Sequence, residues 1–123
     1  MNILMKKVML IDDMDIFNFI MKKLIDSVDP VHQVHDFTNA ELALQCLQDI
    51  EPNVIFLDLN MPILNGWDFL EGMKARNMEY KVYILTSSTS ELDRQRSEDY
   101  KNVVSFLTKP VGEEKIARIL ESV

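Results

Sequence analysis

The chain carries a single cysteine, Cys46. It therefore has no internal disulfide, and such sparing use fits a reducing cytosol. No apolar run approaches the ~20 residues that a bilayer-spanning helix needs. The start, residues 1–7, lacks the longer apolar stretch of a secretory signal. The expected setting is the cytoplasm, with no membrane partner. Positive charge is also scarce: 13 Lys and Arg stand against 20 Asp and Glu, a formal net charge of −7. A nucleic-acid surface needs a basic patch. The one dense basic spot, Lys22-Lys23, lies in a helical stretch and reads as a solvated face, so no nucleic-acid partner is expected. There is no linker, internal repeat or low-complexity segment. What is present is 123 residues, 47% apolar and 27% charged. That is the make-up of one folded domain, residues 1–123, with a single well-buried core. Eight methionines read as gap fillers in that core.

Short β-type runs alternate with helical stretches, which implies βαβ units and a parallel sheet. The first strand is read at residues 7–12. Phe17, Ile20, Met21 and Leu24 follow at helical spacing. The second strand, Gln33–Phe37, has the weakest pattern. Thr38-x-x-Glu41 reads as a capping box, ahead of the apolar stripe Ala40, Ala43, Leu44 and Leu47. The third strand, 54–57, is apolar at every position, as suits a central strand covered on both faces. A loop with Pro62 and the turn pair Asn65-Gly66 leads into a short helix with Trp67, Leu70 and Met73 inward. Trp67 either packs beneath that loop or stands partly exposed as a partner contact. After the fourth strand, 82–85, comes a polar helix, 91–100, whose only clear apolar residues are Leu92 and Tyr100. So narrow an apolar face predicts weak attachment. The fifth strand, 103–107, precedes a helix with Ile116, Ile119, Leu120 and Val123 on one stripe. The expected architecture is a doubly wound α/β domain of five strands and five helices.

The apolar runs end in polar residues of particular kinds: Asp12-Asp13, Asp58, Thr86-Ser87 and Thr108-Lys109-Pro110. In an open parallel sheet the strand C-termini share one edge, and ligands bind there. Three carboxylates, a hydroxyl and an amine would thus meet in one crevice. Clustered carboxylates repel, so they call for a cation. Mg²⁺ keeps several waters and needs few protein oxygens. Asp13 and Asp58 can supply two, with Asp12 alongside and the backbone carbonyl of Asn60 as a further one. Asp58 ends the most buried strand and is the best nucleophile, since an aspartate carboxylate can attack phosphorus. Thr86 and Lys109 are placed to meet the oxygens on which charge collects, and Pro110 fixes the turn that aims Lys109 inward. Taken singly, Asp13 is more often a cap or turn residue and Lys109 a solvated lysine. Their conjunction at one predicted edge favours the site. His32 and His35 lie away from it and read as packing or solvated residues. Cys46, with no basic neighbour in sequence, reads as structural.

Asp12-Asp13, Asp58-Leu59-Asn60-Met61-Pro62 with Asn65-Gly66, Thr86-Ser87 and Phe106-x-x-Lys109-Pro110 together resemble the receiver domain of two-component response regulators, across essentially the whole chain. The resemblance is to single-domain chemotaxis-type regulators in particular. It implies a flavodoxin-like sheet of order 2-1-3-4-5. It also implies that Asp58 accepts a phosphoryl group from a histidine kinase or a histidine phosphotransfer protein. Asp12, Asp13, Asp58 and the Asn60 carbonyl would hold Mg²⁺, with Mn²⁺ as a substitute. Thr86 and Phe106 would form the switch, reporting to a downstream protein through helix four, strand five and helix five. A cis peptide is implied before Pro110. Phosphorylation would bias an existing equilibrium.

The chain departs from the family pattern in several places. Phe106 stands where tyrosine is frequent, so its role is steric. Ser87 replaces a common alanine and Asn53 a common aspartate. Helix four ends in Ser97-Glu98-Asp99-Tyr100-Lys101-Asn102, with Asn102 as its expected cap. Asn60 and Ser88 occupy variable positions that modulate dephosphorylation in such domains. The protein is expected to catalyse only its own phosphorylation and dephosphorylation. No DNA-binding or catalytic stretch follows the last helix in these residues, so output by docking, by relay or through a further domain of a longer chain is expected. The competing readings are a phosphorylation-independent interaction module and a Mg²⁺-dependent aspartyl-phosphate phosphohydrolase. The latter is disfavoured because Asn60 stands where its general acid would be. A flavodoxin would need a phosphate-cradling loop where Asp12-Asp13 would repel phosphate.

Overall fold

The computed structural model describes residues 4–87 and 90–123. The elements alternate strictly: β1 (Lys7–Ile11), α1 (Asp15–Val28), β2 (Gln33–Phe37), α2 (Ala40–Ile50), β3 (Val54–Asp58), α3 (Gly66–Ala75), β4 (Val82–Thr86), α4 (Glu91–Ser97), β5 (Val103–Thr108) and α5 (Glu113–Ser122). All neighbouring strands pair in parallel, in the order β2-β1-β3-β4-β5. The expected order and element count are thus observed.

Successive strand residues point to opposite faces, and the core divides accordingly. Met9, Ile11, Ile55, Leu57 and Ile84 face one way, against Ala43, Leu47, Phe69, Leu70 and Met73 of α2 and α3. Val8, Leu10, Val54, Phe56 and Leu85 face the other way, against Met21 and Ile25 of α1 and Ile116, Ile119 and Leu120 of α5. β3 is buried at every position, which is why its sequence shows no alternation. β2 is an edge strand with no fully buried residue, which explains its weak pattern.

β5 carries an irregularity that sets its far end. Val103 pairs with Val82 but Ser105 pairs with Tyr83, so Val104 is an extra residue. Beyond this bulge Phe106 lies opposite Ile84 and Thr108 opposite Thr86.

Four local expectations are corrected. The cap of α2 is Asn39, not Thr38: its side chain accepts the Leu42 N–H at 3.0 Å. Ile20 faces outward on α1, as do Ile16, Phe19 and the cap residue Met14, each roughly half exposed. α4 ends at Ser97 rather than residue 100. Glu98, Asp99 and Tyr100 each donate their N–H to the residue three before, a tightened turn that ends the helix. That turn swings Tyr100 onto Trp67, their rings 6.0 Å apart. Asn102 is not the cap; its amide donates to the Tyr80 carbonyl at 2.9 Å instead. Trp67 itself is buried, which decides between its two readings. α4 contributes almost no apolar surface, with Leu92 77% exposed. Its arginines hold it by stacking: Arg94 lies 5.1 Å over Phe106 and Arg96 lies 4.5 Å over Trp67.

Candidate functional site

The parallel register delivers the C-terminal ends of β1, β3, β4 and β5 to one edge. Asp12 follows β1 directly and is buried. Its Oδ1 accepts the Met14 N–H at 2.9 Å, which turns the chain into α1. Asp13, next along, is exposed. Asp58 closes β3, 6% exposed. One carboxylate oxygen from each of Asp12, Asp13 and Asp58 lies within 4.8 Å of the others.

Lys109 comes in from β5. Its backbone N–H donates to the Thr86 carbonyl at 2.8 Å, and the Lys109–Pro110 peptide is cis. Its ammonium lies 2.5 Å from Asp12 Oδ2 and 3.8 Å from Asp58 Oδ1. Thr86 is fully buried at the end of β4. Phe106 is buried on the face shared with Trp67 and Tyr100, with its ring turned inward. The structure thus gathers Asp12, Asp13, Asp58 and Lys109 into direct proximity. Asn60 lies on the loop just beyond, its N–H donating weakly to Asp58 Oδ1 at 3.4 Å. Ser88 lies outside the described residues.

The carboxyl of Asp58 is pushed up to about 6. Burial is the main cause, followed by the negative charge of Asp12, while Lys109 and the Asn60 N–H pull the other way. Three carboxylates against the single ammonium of Lys109 leave excess negative charge that a divalent cation would offset. An octahedral Mg²⁺ binds oxygen at about 2.1 Å, so opposite ligands stand about 4.2 Å apart. The three carboxylate oxygens, within 4.8 Å of one another, stand close enough to be drawn onto one such ion. The donor set, all oxygen, suits a hard divalent ion.

The residues present match the model of the response regulator receiver domain family over positions 8–121. The chain belongs to the response regulator receiver domain family. Among curated proteins the receiver resembles the protein-glutamate methylesterase/protein-glutamine glutaminase of Treponema denticola, with 32% identity over 88% of this chain. It spans only 29% of that relative's length. Among solved structures it superimposes on a two-component response regulator from Cytophaga hutchinsonii, with TM-score 0.83, 26% identity, and 96% and 95% of the two chains covered. It also superimposes on the Vibrio cholerae chemotaxis protein CheY4, with TM-score 0.83, 23% identity, and 98% and 99% covered; that likeness concerns the fold.

Two residues beside the receiver's crevice escaped the sequence reading. Asn18 of α1 is buried, and its amide donates to the carbonyls of Asp12 and Phe37, both at 3.1 Å. It ties the acidic loop to the end of β2. Its signal was an amide on the inward face, between Phe17 and Met21. Gly66, read as a turn residue, instead opens α3, with Asn65 as the cap in a reciprocal pair with Asp68. A Cβ there would stand 2.6 Å from the Asp58 carbonyl and 2.8 Å from the Leu59 Cα. Only the absence of a side chain lets α3 begin so close to the end of β3.

Proposed function

We propose that this receiver accepts a phosphoryl group on Asp58 from a phosphohistidine of a histidine kinase or histidine phosphotransfer protein. The observation that carries the reading is the gathering of three carboxylates at the strand edge, two of them 2.5 and 3.8 Å from one ammonium. An Asp58 carboxylate oxygen forms the new bond to phosphorus. The bond from phosphorus to the donor imidazole nitrogen breaks, and the electron pair leaves with that nitrogen, which takes up a proton. Asp12, Asp13, Asp58 and the Asn60 carbonyl would hold Mg²⁺, which when bound supplies charge neutralisation for the approaching group. Lys109 then turns from Asp12 towards the phosphoryl oxygens, and the Thr86 hydroxyl takes another.

The switch runs through Thr86 to Phe106, whose ring sits under Arg94 of α4. Phosphorylation biases the position of α4 and is read by a protein partner at the α4, β5 and α5 face. α4 suits such a role, because few buried apolar residues anchor it. The half-exposed Met14, at the cap of α1, and Ile16, Phe19 and Ile20 within it begin directly after the acidic loop and offer a donor an apolar surface at the crevice. Residues 1–123 act as one such unit, in the cytoplasm, and turn over only their own phosphoryl group.

The test is incubation with acetyl phosphate and Mg²⁺, followed by intact mass. One added phosphoryl group is expected, dependent on Mg²⁺ and missing from Asp58→Asn. No adduct, together with no binding of beryllofluoride, would leave a phosphorylation-independent docking module.

A further inference from the structure

The Lys109 ammonium has a third neighbour besides the two carboxylates. It stands 3.9 Å from the centroid of the Phe17 ring. Phe17 belongs to the first turn of α1, its N–H bonded to the Met14 carbonyl at 3.0 Å, so the loop that carries Asp12 and Asp13 also fixes this ring. The same ring lines a small space beneath the crevice, together with Asp12, Asn18, Phe56 and Asp58. Sequence spacing assigns Phe17 to core packing, and that role does not call for a cation on its face.

We propose that Phe17 is a positioning residue for Lys109: its ring face holds the ammonium between Asp12 and Asp58, ready to turn to the phosphoryl oxygens. This rests on the phospho-acceptor reading above. The choice of a ring has a physical reason. A lysine ammonium has three N–H donors on a flexible stem. Asp12, at 2.5 Å, draws it away from Asp58, at 3.8 Å. A third hydrogen-bond acceptor would lock its rotation, and a further carboxylate would add charge to a site that already holds three. An aromatic face attracts a cation electrostatically but sets no direction for its N–H bonds. The ammonium can therefore rotate towards a new anion without losing this contact. The ring also shields it from water on the α1 side, and Lys109 is only 15% exposed.

Three variants test the role: Phe17→Leu, Phe17→Tyr, and 3,4,5-trifluorophenylalanine placed at position 17. The last keeps ring shape and weakens the negative face. The expected result is acetyl phosphate phosphorylation slowed roughly five-fold in Phe17→Leu, the rate equivalent of one cation–π contact. The fluorinated ring should slow it in the same direction, and Phe17→Tyr should keep the wild-type rate. In metal-free protein, the ε-CH₂ proton resonances of Lys109 should lose their ring-current shift in Phe17→Leu and keep it in Phe17→Tyr. A wild-type rate in the fluorinated protein overturns the proposal. So does equal slowing by Leu and Tyr, or a Lys109 signal that does not move. If wild-type protein takes up no phosphoryl group, the acceptor reading and the positioning role both fall. The Lys109 resonances still report whether the contact exists.

Discussion

Asp58 is 6% exposed, with its carboxyl pushed up to about 6 from 3.8 by burial first and by Asp12 second. Between pH 4 and 6 the folded chain holds a proton there that the unfolded chain has released. Stability from this group is therefore greatest below about pH 4 and is lost as pH rises through 6. The full effect of a shift of roughly two units is on the order of 2–3 kcal/mol. Asp58→Asn is expected to stabilise the metal-free protein by about 2 kcal/mol at pH 7.5, a gain that falls to about half a kcal/mol by pH 4. Urea melts in EDTA at the two pH values check it; a gain equal at both would assign the effect to packing. At this scale the sequence was legible for location: that Asp12, Asp13, Asp58 and Lys109 share one edge was readable from their places after apolar runs. Phe17 was readable only as core, because spacing reports which way a side chain points and not what charge lies over it. Asn18 was overlooked for a related reason: its partners are backbone carbonyls, which leave no mark in sequence.

At the scale of elements, α3 shows how little room separates scaffold from site. Its first residue is Gly66, against the carbonyl of Asp58. Gly66→Ala is expected to cost about 1–3 kcal/mol, the range for forcing atoms into filled space. The added methyl must push either α3 or the end of β3, so Mg²⁺ affinity should fall alongside the melting temperature. Isothermal titration and thermal melts measure the two, and unchanged Mg²⁺ affinity in a destabilised variant would sink the link. The strands other than β2 were legible because each is a compact, largely apolar run. The end of α4 was not. Tyr100 falls where an apolar residue could close one more turn, yet stacking on Trp67 and donation of its hydroxyl to Glu71 at 2.6 Å draw it out of the helix. Both partners lie about thirty residues away in sequence. The α2 cap failed by a single position, since Thr38 and Asn39 are both good caps and only the path of the chain chooses between them.

At the scale of the whole molecule, net charge −7 is concentrated in its effect where three carboxylates converge. A divalent ion that binds only the folded form adds RT ln(1 + [L]/Kd), about 1.4 kcal/mol at ten times Kd. Mg²⁺ at that level should raise the melting temperature by roughly 3–6 °C. Asp13→Asn should reduce the gain, and EDTA should reverse it; a differential scan with Mg²⁺ omitted, added and chelated checks this. The order of strands was legible from the family resemblance, because parallel topology and site residues come as a set. The bulge in β5 was not, because nothing in Val103-Val104-Ser105 marks a skipped partner. Yet the bulge at Val104 works as a phase setter. A strand shows its residues to two sides in turn, so pairing or skipping one residue exchanges sides for all that follow. With Val104 skipped, Phe106 stands opposite Ile84, on the side of Trp67 and Tyr100. With Val104 paired to Tyr83 instead, the same Phe106 would stand opposite Leu85, whose side chain belongs with α1 and α5. An unbulged strand would keep every residue of the crevice in its written order. It would also send the aromatic to the wrong half of the protein, a misplacement by arithmetic rather than by chemistry.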